Sequence, residues 1–93
     1  MFGFGKKQSF EKLLSEGAIV IDVRSPQEFS EGNVPGSKNI PLQDVHKKID
    51  EIKSLNKPVV VVCLSGGRSG IAVGVLMAHG IDAHNGGGWR SLV

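Results

Sequence analysis

Val59-Val60-Val61-Val62 is a run of four β-branched residues, closed in front by Pro58 and followed by Cys63 and the Gly66-Gly67 pair. A second near-continuous apolar run, Ala18-Ile19-Val20-Ile21-Asp22-Val23, lies upstream. Short β-branched runs without polar alternation fit strands buried on both faces, as in parallel sheets covered by helices. Amphipathic and capped segments separate the runs, so the chain reads as a three-layer α/β/α domain with a small central parallel sheet. With aromatics at only 5%, the core must rest on Val, Ile and Leu. A length of 93 residues bounds it to one domain, assigned to residues 9–93 behind an N-terminal tail of residues 1–8.

Local signals place the other elements. Ser9 can cap a first helix with Phe10, Leu13 and Leu14 inward and Gly17 at its end. Ser25-Pro26-Gln27-Glu28 has the form of a capping box with proline at the first helical position, opening a short helix to about Ser30. Asn39-Ile40-Pro41 is expected as a brief strand. Leu42, Val45, Ile49 and Ile52 follow one face of an amphipathic helix, which Asn56-Lys57-Pro58 breaks. A later helix is expected from Ser69, as N-cap, to His79, with Gly80 ending it. Ile81-Asp82-Ala83 reads as a last strand and His84 to Gly88 as a turn, with Trp89 and Leu92 packing the end.

Cys63 is the single cysteine, so no internal disulfide forms. It stands beyond the carboxyl end of a strand, where open α/β sheets place their working residues. Gly66 and Gly67 can adopt positive φ without steric cost, which lets successive loop N–H groups turn inward as an anion nest. The first turn of the next helix adds unpaired donors and the positive end of its dipole. Arg68 adds a charge that cannot be titrated away. Such surroundings favour a thiolate, and would equally hold an anion attached to sulfur, such as a persulfide. A buried structural cysteine is the competing interpretation, but it requires no Gly-Gly turn followed by Arg68.

Other function classes fit less well. Basic residues exceed acidic ones by 11 − 9 = 2, too small and scattered an excess for a nucleic-acid partner. His46, His79 and His84 share no metal-ligand spacing, and no segment has the length of a membrane span. The N-terminus lacks the apolar stretch of a signal peptide, so a cytoplasmic protein is expected. The phosphate-loop pattern fails for want of a lysine before Ser69. Cysteine-dependent phosphatases use a similar cradle with a longer loop, whereas four residues separate Cys63 from Arg68.

Three ordered segments resemble the single-domain rhodaneses, a sulfurtransferase family. They are Ile21-Asp22-Val23-Arg24-Ser25-Pro26-Gln27-Glu28-Phe29 continuing through Gly32-Asn33-Val34-Pro35-Gly36-Ser37 to Pro41, the Cys63-Leu64-Ser65-Gly66-Gly67-Arg68-Ser69 loop, and Asn85-Gly86-Gly87-Gly88-Trp89. The resemblance implies Cys63 as nucleophile, Arg68 as the holder of donor and persulfide, and a cradle of N–H groups from Leu64 through Ser65, Gly66, Gly67 and Arg68 to Ser69. Leu64 and Ser65 would line the mouth. Asp22 and Arg24 would be structural, and Glu28 an N-cap partner. The implied substrates are a small anionic sulfur donor such as thiosulfate and a cyanide or thiol acceptor, with a protein sulfur acceptor as a further partner. No metal or organic cofactor is implied. Asn33 stands where the family usually has His, and the usual leading strand is missing before the first helix, which implies a more open sheet edge. Two other functions remain open, namely a persulfide-carrier or binding module and a cysteine-dependent phosphatase or arsenate reductase.

Overall fold

The computed structural model describes residues 6–93. Four strands form one all-parallel sheet in the order β2-β1-β3-β4, with β1 at Ile19–Asp22, β2 at Lys38–Asn39, β3 at Val59–Cys63 and β4 at Ala83–Gly88. The helices are α1 (Lys6–Ser15), α2 (Pro26–Ser30), α3 (Ile49–Ser54) and α4 (Gly67–Ala78), with 3-10 segments at Leu42–Lys48 and Trp89–Leu92.

Every residue of β3 is buried, as expected for the central strand of a sheet covered on both faces. Strand alternation divides the core. Val59, Val61 and Cys63 join Ile21, Ile52, Ala72 and Leu76 on the α3/α4 side. Val60 and Val62 join Val20, Val34 and Leu92 on the other, where Phe10, Leu14 and Trp89 pack. Helical cover over both faces gives the expected three layers.

Several boundaries differ from the sequence expectations. Helix α1 begins at Lys6, so Ser9 lies within it rather than ahead of it; Lys6, Lys7 and Gln8 are good helix formers with no breaker among them. Residues 1–5 of the expected tail lie outside the described residues. The stripe from Leu42 to Ile52 is a 3-10 segment followed by a short α-helix, with Lys48 at φ −108° and ψ 8° between them. Its apolar spacing suits either helix type, because residues three apart share a face in both.

The largest correction is at the C-terminal end, where the expected turn His84–Gly88 belongs to strand β4. Ile81 and Asp82, expected to open this strand, precede it. Val61 pairs with Asn85 and Val62 with Gly87, so Gly86 is the extra residue of a bulge. A Cβ on Gly86 would stand 2.8 and 2.9 Å from the Cγ1 atoms of Val60 and Val62. Glycine is thus what lets this strand lie against β3.

Candidate active site

Cys63 is the last residue of β3, paired in register with Gly88, and is buried. The chain reverses through Leu64, Ser65 and Gly66 and enters α4 at Gly67. Gly66 is the N-cap, at φ +107°, a conformation that glycine alone adopts without strain. Ser69, expected as the cap, is instead buried inside the first turn of α4, because the glycine turn caps the helix three residues earlier, at Gly66. That shift brings both ends of the turn to the sulfur.

The Gly66 N–H donates to Cys63 Sγ at 2.9 Å, and the thiol donates to Ser69 Oγ at 3.4 Å. Burial raises the thiol pKa, but the Ser69 hydroxyl and the backbone N–H groups of Ser69, Gly66 and Ser65 outweigh it, lowering the pKa from 9.0 to about 7. Cys63 is therefore a substantial fraction thiolate at neutral pH. Leu64 turns its side chain to solvent, 54% exposed, and its carbonyl faces Gly88.

Arg68 leaves α4 on the same side, but its guanidinium is already engaged. Its two terminal nitrogens donate to Glu28 Oε1 at 2.8 Å and Oε2 at 3.0 Å, a two-pronged pair across partly exposed surface. Glu28 also completes the capping box of α2, accepting from the Ser25 N–H at 3.0 Å while Ser25 Oγ accepts from the Glu28 N–H. The hydrogen bonds from Arg68 and from the Ser25 backbone hold the Glu28 carboxyl at about 2, down from 4.5. Because that pKa is depressed in the folded state, the associated stabilisation is complete above about pH 4.5 and fades as the pH falls towards 2. In a carboxyl-resolved NMR titration, Glu28 is expected to titrate near 2 in the wild type and to move towards 4.5 in Arg68→Ala.

Asp22 and Arg24 form a buried pair below this layer. Arg24 Nε lies 3.0 Å from both Asp22 oxygens, and Nη2 is 2.7 Å from Oδ2. Arg24 also donates to the carbonyls of Glu28 and Gly32 and lies 4.8 Å from the centroid of the Trp89 ring. The pair joins the end of β1 to α2, to the loop after it and to the C-terminal segment. Asn33 donates to the Phe29 carbonyl. His84 pairs with Asp82 at 2.8 Å, near the end of β4 remote from Gly88. Among the described residues no group of three His, Cys, Asp or Glu could hold a metal ion, and no helix is long and apolar enough to cross a membrane.

Two residues at the site escape sequence reasoning. Glu28 is recognisable as a helix cap, and nothing local signals its pairing with Arg68. Asn85 sits in the glycine tract taken as a turn. In the structure its Oδ1 accepts from Ser69 Oγ at 2.7 Å and from the Gly87 N–H at 2.9 Å, while Nδ2 donates to the Gly66 carbonyl at 3.2 Å.

Comparison with known proteins finds relatives of this chain. A family model, the rhodanese-like domain, matches residues 6–91. The thiosulfate sulfurtransferase GlpE of Pseudomonas putida is 35% identical over 78 residues, covering 82% of this chain and 68% of the relative. A solved rhodanese with anions from E. coli superposes with a TM-score of 0.73 at 34% identity, covering 81% of this chain and 91% of the other. The human single-domain sulfurtransferase TSTD1 gives a TM-score of 0.73 at 28% identity, with coverage of 89% and 88%.

Proposed function

This chain belongs to the rhodanese-like family, and from that premise we propose that it moves a sulfane sulfur from a donor to a nucleophilic acceptor through a persulfide on Cys63. The observation that carries this reading is the buried thiol at the carboxyl end of β3, with the Gly66 N–H at 2.9 Å and Ser69 Oγ at 3.4 Å from its sulfur, surroundings that lower its pKa towards 7. A nucleophile ionised near neutrality and held by fixed donors needs no general base.

With thiosulfate as donor, the Cys63 thiolate attacks the outer sulfur. The S–S bond of thiosulfate breaks with its electron pair leaving on sulfite, and Cys63 becomes Cys–S–S⁻. The new terminal sulfur is an anion stabilised by the same donors, the N–H groups of Gly66, Ser65 and Ser69. Cyanide or a thiolate then attacks that sulfur, and the pair in the persulfide bond returns to Cys63. Thiocyanate or a new persulfide departs. Both steps are displacements at sulfur and consume no external oxidant or reductant. The half-exposed apolar side chain of Leu64 beside the thiol supports a second reading, in which the acceptor is a protein docked over the mouth and Cys63 is its sulfur carrier.

Intact-mass measurement after incubation with thiosulfate tests the proposal. Wild type is expected to gain one sulfur atom, removed by cyanide, while Cys63→Ser gains none. A wild type that stays unchanged with thiosulfate and with organic persulfide donors, yet alkylates normally at Cys63, overturns it.

A further inference from the structure

The contacts around Ser69 contain a conflict over a single proton. A serine hydroxyl donates once. With Cys63 as a thiol, Ser69 Oγ accepts from sulfur at 3.4 Å and gives its proton to Asn85 Oδ1 at 2.7 Å. When the thiol ionises, sulfur becomes an acceptor only. An unrotated Ser69 would then face the thiolate with a lone pair. If the hydroxyl turns to sulfur instead, Asn85 Oδ1 gives up one of two donors and keeps the Gly87 N–H at 2.9 Å. No buried acceptor is stranded by the exchange, so its cost is small. The amide nitrogen of Asn85 meanwhile holds the Gly66 carbonyl at 3.2 Å, fixing the residue whose N–H points at sulfur at 2.9 Å.

We infer that Asn85 is a positioning residue for the Cys63 nucleophile: it parks the Ser69 proton while sulfur is protonated, and releases it to sulfur when the thiolate or the persulfide anion forms. It acts through Ser69 and Gly66 and does not touch the sulfur. The inference deepens the sulfur-transfer reading and rests on it for its purpose, whereas its test reads thiol ionisation alone. The neutral amide is central to the device. A carboxylate at this position would hold the hydroxyl proton more strongly, would place a negative charge near the thiolate, and would offer Gly66 no donor.

The charged groups around the sulfur come from three elements. They are Arg68 on α4, Glu28 on α2 paired to it, and the Asp22–Arg24 pair at the end of β1. On β4, His84 is paired with Asp82 at the strand's far end. None of them is hydrogen-bonded to Asn85, whose partners are Ser69, Gly66 and Gly87.

The experiment is the pH profile of iodoacetamide alkylation at Cys63, with thermal unfolding of each variant as a check on folding. Wild type should show a midpoint near 7. Asn85→Asp is expected to raise the midpoint by about one unit or more, roughly a tenfold loss of thiolate on the acid side. Asn85→Ala frees the hydroxyl for sulfur but gives up the hold on the Gly66 carbonyl, so its shift is expected to be well below that of Asn85→Asp. Ser69→Ala, which removes the hydroxyl while leaving Asn85 its amide, should raise the midpoint, and in that background the Asn85→Asp shift should shrink, because only the charge and the loss of the Gly66 donor remain. A residue that merely braced the loop would move Asn85→Asp and Asn85→Ala by the same amount. Equal upward shifts in both overturn the inference, as does an Asn85→Asp shift undiminished in Ser69→Ala. If Asn85→Asp does not fold, Ser69→Ala and Asn85→Ala decide alone, and an unmoved midpoint in Ser69→Ala overturns it. None of these readouts requires sulfur transfer, so failure of that reading would be seen separately, in the mass measurement.

Discussion

Asp22→Ala is expected to remove a large share of the folding free energy. Asp22 is fully buried and the Arg24 side chain is 4% exposed. Without the carboxylate, the guanidinium keeps its hydrogen bonds to the Glu28 and Gly32 carbonyls and its place over the Trp89 ring, but has no counter-charge beside it. Stranding one member of a buried pair costs about 3–5 kcal/mol. A small domain has on the order of 5–15 kcal/mol in all. In urea, the unfolding midpoint should therefore fall by roughly a third to a half with little change in slope. Changing both residues to apolar ones of similar volume should recover much of the loss, because a paired ion is worth little more than good packing. A loss below about 1 kcal/mol for Asp22→Ala would mean that water or a rearranged loop neutralises Arg24.

Gly88→Ala should damage the thiol loop more than the fold. Gly88 has φ −71° and ψ 135°, which any residue adopts, so the effect is steric. The added Cβ would stand 2.7 Å from the Leu64 carbonyl oxygen and 4.0 Å from the Ser65 Cα. Backbone on both sides leaves no flexible side chain to give way. The loop must lift from β4, carrying Ser65 and Gly66 away from Cys63. Alkylation of Cys63 at pH 7 is expected to slow about tenfold, and sulfur uptake with it, since a misplacement of about 1 Å in a site can cost as much as about a hundredfold. The stability cost should be about 1–3 kcal/mol, typical of overpacking. Gly74→Ala on α4, whose methyl would meet nothing within 4 Å, provides the control. It should gain about 0.5–1 kcal/mol from helix propensity and leave alkylation unchanged. Equal alkylation rates for Gly88→Ala and wild type would show that the loop does not depend on this close approach.

The two central strands were legible because apolar, β-branched runs of this length have few other solutions, and the capping box of α2 because its signal is local. Strand β4 was not. Asn85-Gly86-Gly87-Gly88 offers no side-chain alternation, and its extended state is imposed by pairing with β3 and by the need to fit against Val60 and Val62. Misreading that tract as a turn also concealed Asn85. Ser69 misled in another way. Serine is a favoured N-cap, yet a left-handed Gly66 starts the helix first and frees the Ser69 side chain for the sulfur. The Glu28–Arg68 contact joins residues 40 apart in sequence, so nothing short of the folded arrangement of α2 and α4 discloses it. The same contact alters the expectation for Arg68, whose charge reaches the site already matched by a carboxylate.

The all-parallel order of the strands has a consequence for biosynthesis. Ile19 waits for Val59, and Val59 for Ala83, so no hairpin can form early and each ladder closes a long loop of chain. Such non-local topologies fold slowly. As the chain leaves the ribosome, Val59-Val60-Val61-Val62 emerges before its β4 partner exists. It is uncharged, β-branched and free of proline, the composition that invites pairing between separate molecules. Lys57 and Pro58 stand at its entrance, supplying a charge and a position without an N–H donor. They act as gatekeepers for a stretch that is safe only once it lies at the centre of the sheet.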